Sequence, residues 1–277
     1  MVKMGTVWDR TAEFISDNLG AVLPIALVAF FVPASIGGNF QAVMPGAGPS
    51  LALVLRLVQL LFAVLSLWGS LAIVAMALDL ATEHGSGRIA LRRLPAALLV
   101  WVVVLVAALA LALPIPFILA GSGVDMVALA NGEMPAISGP VASTIALYGL
   151  ALFGVLLWLA ARLAVVNPVI VREKGLLSAF GQSWALTRGA TWRILGVILL
   201  YAIVSWVAQL AAKTVFGSIF ALVAGGTVDG LSLGGVLTSI VAAAVQAGFM
   251  VVGAAFTAKL YLALARQASL RNAATPA

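Results

Sequence analysis

The chain has 277 residues, of which 64% are hydrophobic and 9% charged, with a formal net charge of +6. Soluble domains run at about 45–50% apolar and about 25% charged, so this composition excludes an ordinary soluble domain. There is no cysteine and one histidine, which excludes disulfides, thiolate catalysis and cysteine-based metal sites.

The first element is a short amphipathic helix. Thr6 followed by Asp9 resembles a capping box with Asp in place of Glu. Trp8, Ala12, Ile15 and Leu19 then share one helical face, and Asp9, Glu13 and Asp17 another. This pattern predicts a helix lying in the membrane interface. A secretory signal peptide is the competing reading, but it needs a short basic start and an apolar stretch of about 7–15 residues. Here three acids precede the first apolar run.

A spanning helix needs about 20 mostly apolar residues. Six segments qualify: Ala21–Gly37, Leu51–Asp79, Ala96–Ala120, Ala142–Ile170, Ile194 to Lys213 or Leu222, and Gly234–Leu264. The alternating short strands of a membrane barrel are absent from the pattern. Pro24 and Pro33 in the first span, Pro114 and Pro116 ending the third, and Asn167-Pro168 in the fourth predict kinks or ends. A broken helix lining a site is the sharper form of that expectation. The connection Gly87 to Pro95 reads as a basic helix before span three. Between spans four and five, Leu177, Phe180 and Trp184 line one face, beside Ser178 and Gln182. That spacing predicts a second interfacial helix with those three residues buried.

The fold class is therefore an all-α integral membrane protein. It has six transmembrane helices, interfacial helices on the cytoplasmic side, and a single membrane domain over residues 1–277. Three units of one interfacial helix plus two spans are suggested, over residues 6–85, 86–175 and 176–268. Leu67-Trp68 returns as Leu157-Trp158, and Glu83 and Gly85 return as Glu173 and Gly175.

Charge sets the orientation. Lys3, Arg10, Arg88, Arg92, Arg93, Arg172, Lys174, Arg188, Arg193, Arg266 and Arg271 all lie in the termini and one set of connections. The opposite loops hold no basic residue, only Asp125, Glu133 and Asp229. Basic residues stay on the cytoplasmic side, so both termini are expected there, in a bacterial inner membrane. The basic groups are spread over four short segments, which suits anionic headgroups and not nucleic acid.

Little points to catalysis. The lone His84 could not build a zinc site or a triad, and Gly225-Gly226 and Gly234-Gly235 lack phosphate-loop spacing. No cofactor or metal is expected. Ionisable groups within spans are costly and draw attention. Arg162 lies about 12 Å inside the boundary at Ile170, at 1.5 Å per residue. Asp79 and Lys259 mark the same end of spans two and six. Asp79, Arg162, Glu173 and Lys259 are the candidate ion-pair cluster, or a set of headgroup contacts. For Arg162, the acids Asp79, Glu83 and Glu173 are available, and Lys259 is suited to reach the headgroups. Gln59, Gln209 and Gln246 suit hydrogen bonds between helices or a polar path.

The stretch Arg162–Gly189 reads RLAVVNPVIVREKGLLSAFGQSWALTRG. It resembles the membrane domain associated with bacterial glycerophosphoryl diester phosphodiesterases and its stand-alone six-helix relatives. The matching residues are Arg162, Pro168, Glu173, Gly175, Ser183, Trp184, Leu186, Thr187 and Gly189, with Lys174 inserted between Glu173 and Gly175. In that family, activity resides in a separate soluble barrel with metal-binding acids and histidines. The resemblance therefore implies no catalytic residue here, and this chain is expected to lack that barrel. It marks Ser183, Trp184, Thr187, Arg188 and Gly189 as a helix corner at the interface, or as part of a phosphodiester headgroup site. The expected function is a non-catalytic accessory or lipid-interacting role, with membrane lipids and a membrane protein as partners. Transport of a small solute or lipid-derived compound is the alternative.

Overall fold

The computed structural model describes residues 3–80, 85–125, 128–129, 137–172, 176–224 and 233–274. A chain in hydrocarbon must satisfy its backbone polar groups within itself, and long apolar runs do so as helices. Six helical stretches are long and apolar enough to cross a membrane. They are span one Leu19–Phe40, span two Pro49–Ala77, span three Ser86–Gly121, span four Gly139–Arg172, span five Thr191–Phe220 and span six Leu233–Arg271. Among the described residues there is no strand. A helix over Met4–Asp17 precedes span one, and a corner helix over Leu176–Thr187 joins spans four and five.

Span two is the central helix. Leu71 to Leu78 are consecutively buried, so this end is enclosed on every side. It packs on spans one, three and six and on the last turns of span four. Spans three and five instead leave large apolar side chains uncovered, among them Leu105, Leu109, Leu200 and Trp206. Such all-round apolar faces suit contact with hydrocarbon.

Span one shows how proline shapes the bundle. Leu27–Phe31 form a π-helical turn, in which the Val32 N–H reaches back to the Leu27 carbonyl. Pro33 has no N–H to offer the Ala29 carbonyl four residues back. Ser66 of span two supplies the missing donor, with its hydroxyl 2.8 Å from that oxygen. Gly69, one turn further on, makes the approach feasible. A Cβ there would collide with the Cβ of Ala29. The proline kink is thus a packing device between spans one and two.

Two sequence expectations change, and the kink expected at Asn167-Pro168 is present as a break. The basic segment Gly87–Pro95 is not a separate helix, because Ser86–Ala112 runs straight through Pro95. Pro95 removes only the donor for Leu91, an exposed residue, and the Trp68 indole N–H fixes this end by donating to the Gly87 carbonyl at 3.2 Å. The N-terminal helix buries Val7, Thr11 and Phe14, while Ala12 and Leu19 are exposed. It docks on span six, with the Trp8 and Phe256 rings 4.5 Å apart, so its buried face is turned toward protein. Its acids Asp9, Glu13 and Asp17 remain exposed. Span four breaks at residues 163–165, between Gly139–Arg162 and Val166–Arg172. Pro168 falls in the first turn of the new helix, where a missing N–H is tolerated.

Candidate functional site

Arg162 ends the long helix of span four, so its carbonyl is one of the orphan acceptors of a helix terminus. Two hydroxyls of the corner helix reach it. Ser183 Oγ donates at 2.8 Å and Thr187 Oγ1 at 3.3 Å. Thr187 also bonds the Ser183 carbonyl at 2.8 Å. Four-residue spacing puts both on one helix face, and both side chains are fully buried. Ala179, one turn earlier, continues that face. The buried face is therefore Ala179–Ser183–Thr187, not the expected Leu177–Phe180–Trp184. Trp184 is half-exposed, Phe180 is partly covered, and the Leu177 side chain lies outside the described residues. Small residues permit the helix to approach the break in span four closely.

The side chain of Arg162 turns the other way, between two indoles. Its guanidinium carbon lies 4.8 Å from the Trp184 ring centroid and 5.3 Å from that of Trp158. The two indoles meet edge-to-face at 5.0 Å. Aromatic faces attract a cation, most strongly when water is excluded. Nη1 also donates to the Trp184 carbonyl at 3.3 Å. Nε is buried and has no partner among the described residues. Among the described residues no acid pairs with Arg162. Glu83 and Glu173 lie outside them.

Asp79 and Lys259 act elsewhere, at the end of span two. Asp79 adopts φ 54°, the left-handed conformation that follows many helices. Its N–H bonds the Met76 carbonyl at 2.9 Å, and the Leu80 N–H bonds that of Ala75 at 3.1 Å. That pair of bonds is a Schellman motif, with Asp79 where glycine is usual. The Ala77 carbonyl is left over, and Lys259 Nζ donates to it at 2.8 Å. The ammonium also lies 4.9 Å from the Phe14 ring centroid. Lys259 therefore caps a neighbouring helix, where its charge also opposes the negative end of the dipole. The expected reach of Lys259 to the headgroups is replaced by this internal bond.

Beyond Thr187 the chain turns through Arg188, Gly189 and Ala190 into span five. Gly189 has φ 115°, which a side chain would resist. The Ala190 N–H closes the turn on the Thr187 carbonyl at 3.0 Å. Basic cavities open on both sides of it. One, of about 270 Å³, is lined by Arg188, Arg193 and Arg271 together with Gln267 and Leu186. The other, of about 380 Å³, is lined by Trp158, Arg162, Trp192 and Arg193. Both include Gly189, Ala190 and Arg193 at the start of span five. The first-turn N–H groups of a helix add donors and a positive field to such a place. Arginines, first-turn amides and flanking tryptophans together suit an anionic oxygen ligand.

Sequence reading joined Arg162 to the motif and pointed to Arg188 and Arg193. It missed Gln267 and Arg271. Their signal is the helical spacing of Leu264, Gln267, Ala268 and Arg271, which continues span six past its apolar stretch.

The fold and this corner define a multi-pass, all-α membrane protein with a basic corner at the terminus-bearing end of the bundle. Comparison with protein-family models, curated proteins and solved structures finds no match to this chain.

Proposed function

We propose that this chain is a non-catalytic bacterial inner-membrane protein that holds an anionic lipid headgroup at the cytoplasmic corner between spans four and five. The observation that carries the reading is the basic cavity that Arg162 and Arg193 line together, with the Arg162 Nε buried beside it and without a partner among the described residues. Two guanidinium groups on one cavity wall suit a phosphate oxygen, which accepts charge-assisted hydrogen bonds from such donors. Both termini are cytoplasmic in this reading, because the basic connections then face anionic lipid. The N-terminal and corner helices lie at the interface, and each begins one of three related units. The resemblance of Arg162–Gly189 to the phosphodiesterase-associated membrane domain supports a module that works beside lipids, as an accessory to a membrane protein partner that its uncovered span faces would meet. Polar-solute transport has less support. Gln209 bonds Ser205 of its own helix at 3.4 Å, so it is not part of a polar path between helices.

The test is thermal unfolding in detergent with added phosphatidylglycerol or phosphatidylcholine. Phosphatidylglycerol is expected to raise the midpoint well above phosphatidylcholine in the parent protein. Arg193→Gln, at an exposed position, should remove most of that difference. Equal shifts from both lipids would refute the reading.

A further inference from the structure

A third cavity, of about 310 Å³, lies beside the break in span four and shares no lining residue with the basic corner. Ser70, Ala164, Asn167, Tyr201, Gly253 and Thr257 line it, within an otherwise apolar wall. We propose that this cavity binds an uncharged lipid bearing hydroxyl and ester oxygens, separately from the anionic headgroup at the corner.

The argument starts from hydrogen-bond accounting. Ala164 lies in the break of span four, ahead of the helix Val166–Arg172, so its carbonyl has no helical donor. The Ala29 carbonyl, which the Pro33 ring leaves without a donor, is served by Ser66. No donor serves Ala164 among the described residues. Ser70, one turn beyond Ser66 on span two, borders this cavity, and its hydroxyl has no hydrogen-bond partner among the described residues. The Asn167 Oδ1 accepts from the Trp101 indole N–H at 3.4 Å, which directs the amide so that its NH₂ is free. The cavity wall thus offers one acceptor and two donors with no partner of their own.

The remaining polar groups are engaged but not exhausted. The Tyr201 hydroxyl donates to the Phe249 carbonyl and keeps its acceptor capacity. Thr257 bonds the Ala254 carbonyl at 2.9 Å. No charged side chain lines the cavity, so an ionised ligand would be desolvated without a counter-charge. An apolar pocket with a few converging polar groups is the usual form of a small-ligand site. A hydroxyl can give its proton to Ala164, and an ester carbonyl can accept from Ser70 or Asn167. The chain of the same lipid then occupies the wall formed by Val197, Ile198 and Met250.

The probe is a monoacylglycerol carrying a diazirine on its acyl chain, photolysed with the full chain in phosphatidylcholine nanodiscs and mapped by mass spectrometry. Crosslinks should concentrate at Val197, Ile198 and Met250 and be competed by unlabelled monoacylglycerol, not by phosphatidylglycerol. Ser70→Leu removes a donor and adds apolar bulk. It should cut those crosslinks about fivefold or more, while labelling of the exposed Leu147 and Leu150 is unchanged. Val197→Trp fills the opposite wall and should do the same, so the outcome does not hang on one variant's folding. Cavity labelling no stronger than at Leu147, or equal competition by phosphatidylglycerol, would overturn the proposal. Labelling unaffected by either variant would also overturn it.

Discussion

The two hydroxyls on the Arg162 carbonyl make a quantitative prediction. Ser183→Ala removes the shorter bond, 2.8 Å, from a fully buried position. A hydrogen bond of this kind contributes about 0.5–1.5 kcal/mol net, and bonds between membrane helices average about 0.6 kcal/mol. Ser183→Ala should therefore cost about 1 kcal/mol, because Thr187 still serves the carbonyl from 3.3 Å. Thr187→Val should cost less, since that hydroxyl spends part of its donor on its own helix at Ser183. With both changed, a buried carbonyl at the break is left with no donor, and such a group costs about 1–3 kcal/mol. The double mutant should then lose more than the sum of the singles. The assay is reversible unfolding in mixed micelles, read as a double-mutant cycle with the parent. Strict additivity, or a double mutant as stable as the parent, would refute the shared-acceptor reasoning.

Gly69→Ala should destabilise by about 1–3 kcal/mol through overpacking against Ala29, and adding Ala29→Gly should recover part of that in the same unfolding assay. Lys259→Met keeps the apolar stem but leaves the Ala77 carbonyl without its donor, with an expected loss of about 1–2 kcal/mol. Asp79→Gly relieves a left-handed residue and removes a negative charge from a helix C-terminus, so it should raise stability by about 1 kcal/mol. Topology is checked by labelling, since the chain has no native cysteine. In intact cells, Ser138→Cys should react with an impermeant maleimide and Ser269→Cys should not; the reverse pattern would invert the assigned orientation.

The sequence made the spans legible because the bilayer imposes one requirement on all of them, length with low polarity. It also located the prolines, yet not what they do. Pro33 frees a carbonyl, but whether a donor arrives depends on which helix packs alongside, as Ser66 does for Ala29. Buried faces were misjudged for a related reason. Hydropathy ranks Trp184 above Ser183 and Thr187, but the contact is made at an orphan helix terminus, where small hydroxyl side chains fit best. Charges in the spans read as a search for counter-charges. Among the described residues Arg162 meets indole faces and a carbonyl, and Lys259 meets a helix end. Asp79 gave no sign of its backbone role, since Asp in a left-handed position is not distinguishable by composition.

The most direct test of headgroup recognition at the corner is native mass spectrometry of protein released from nanodiscs holding equal amounts of phosphatidylglycerol and phosphatidylcholine. The parent protein should retain phosphatidylglycerol preferentially, and Arg193→Gln should abolish the preference while retaining the same total lipid. Equal retention of the two lipids by the parent, or a preference untouched by Arg193→Gln, would contradict the assignment of an anionic headgroup to this corner.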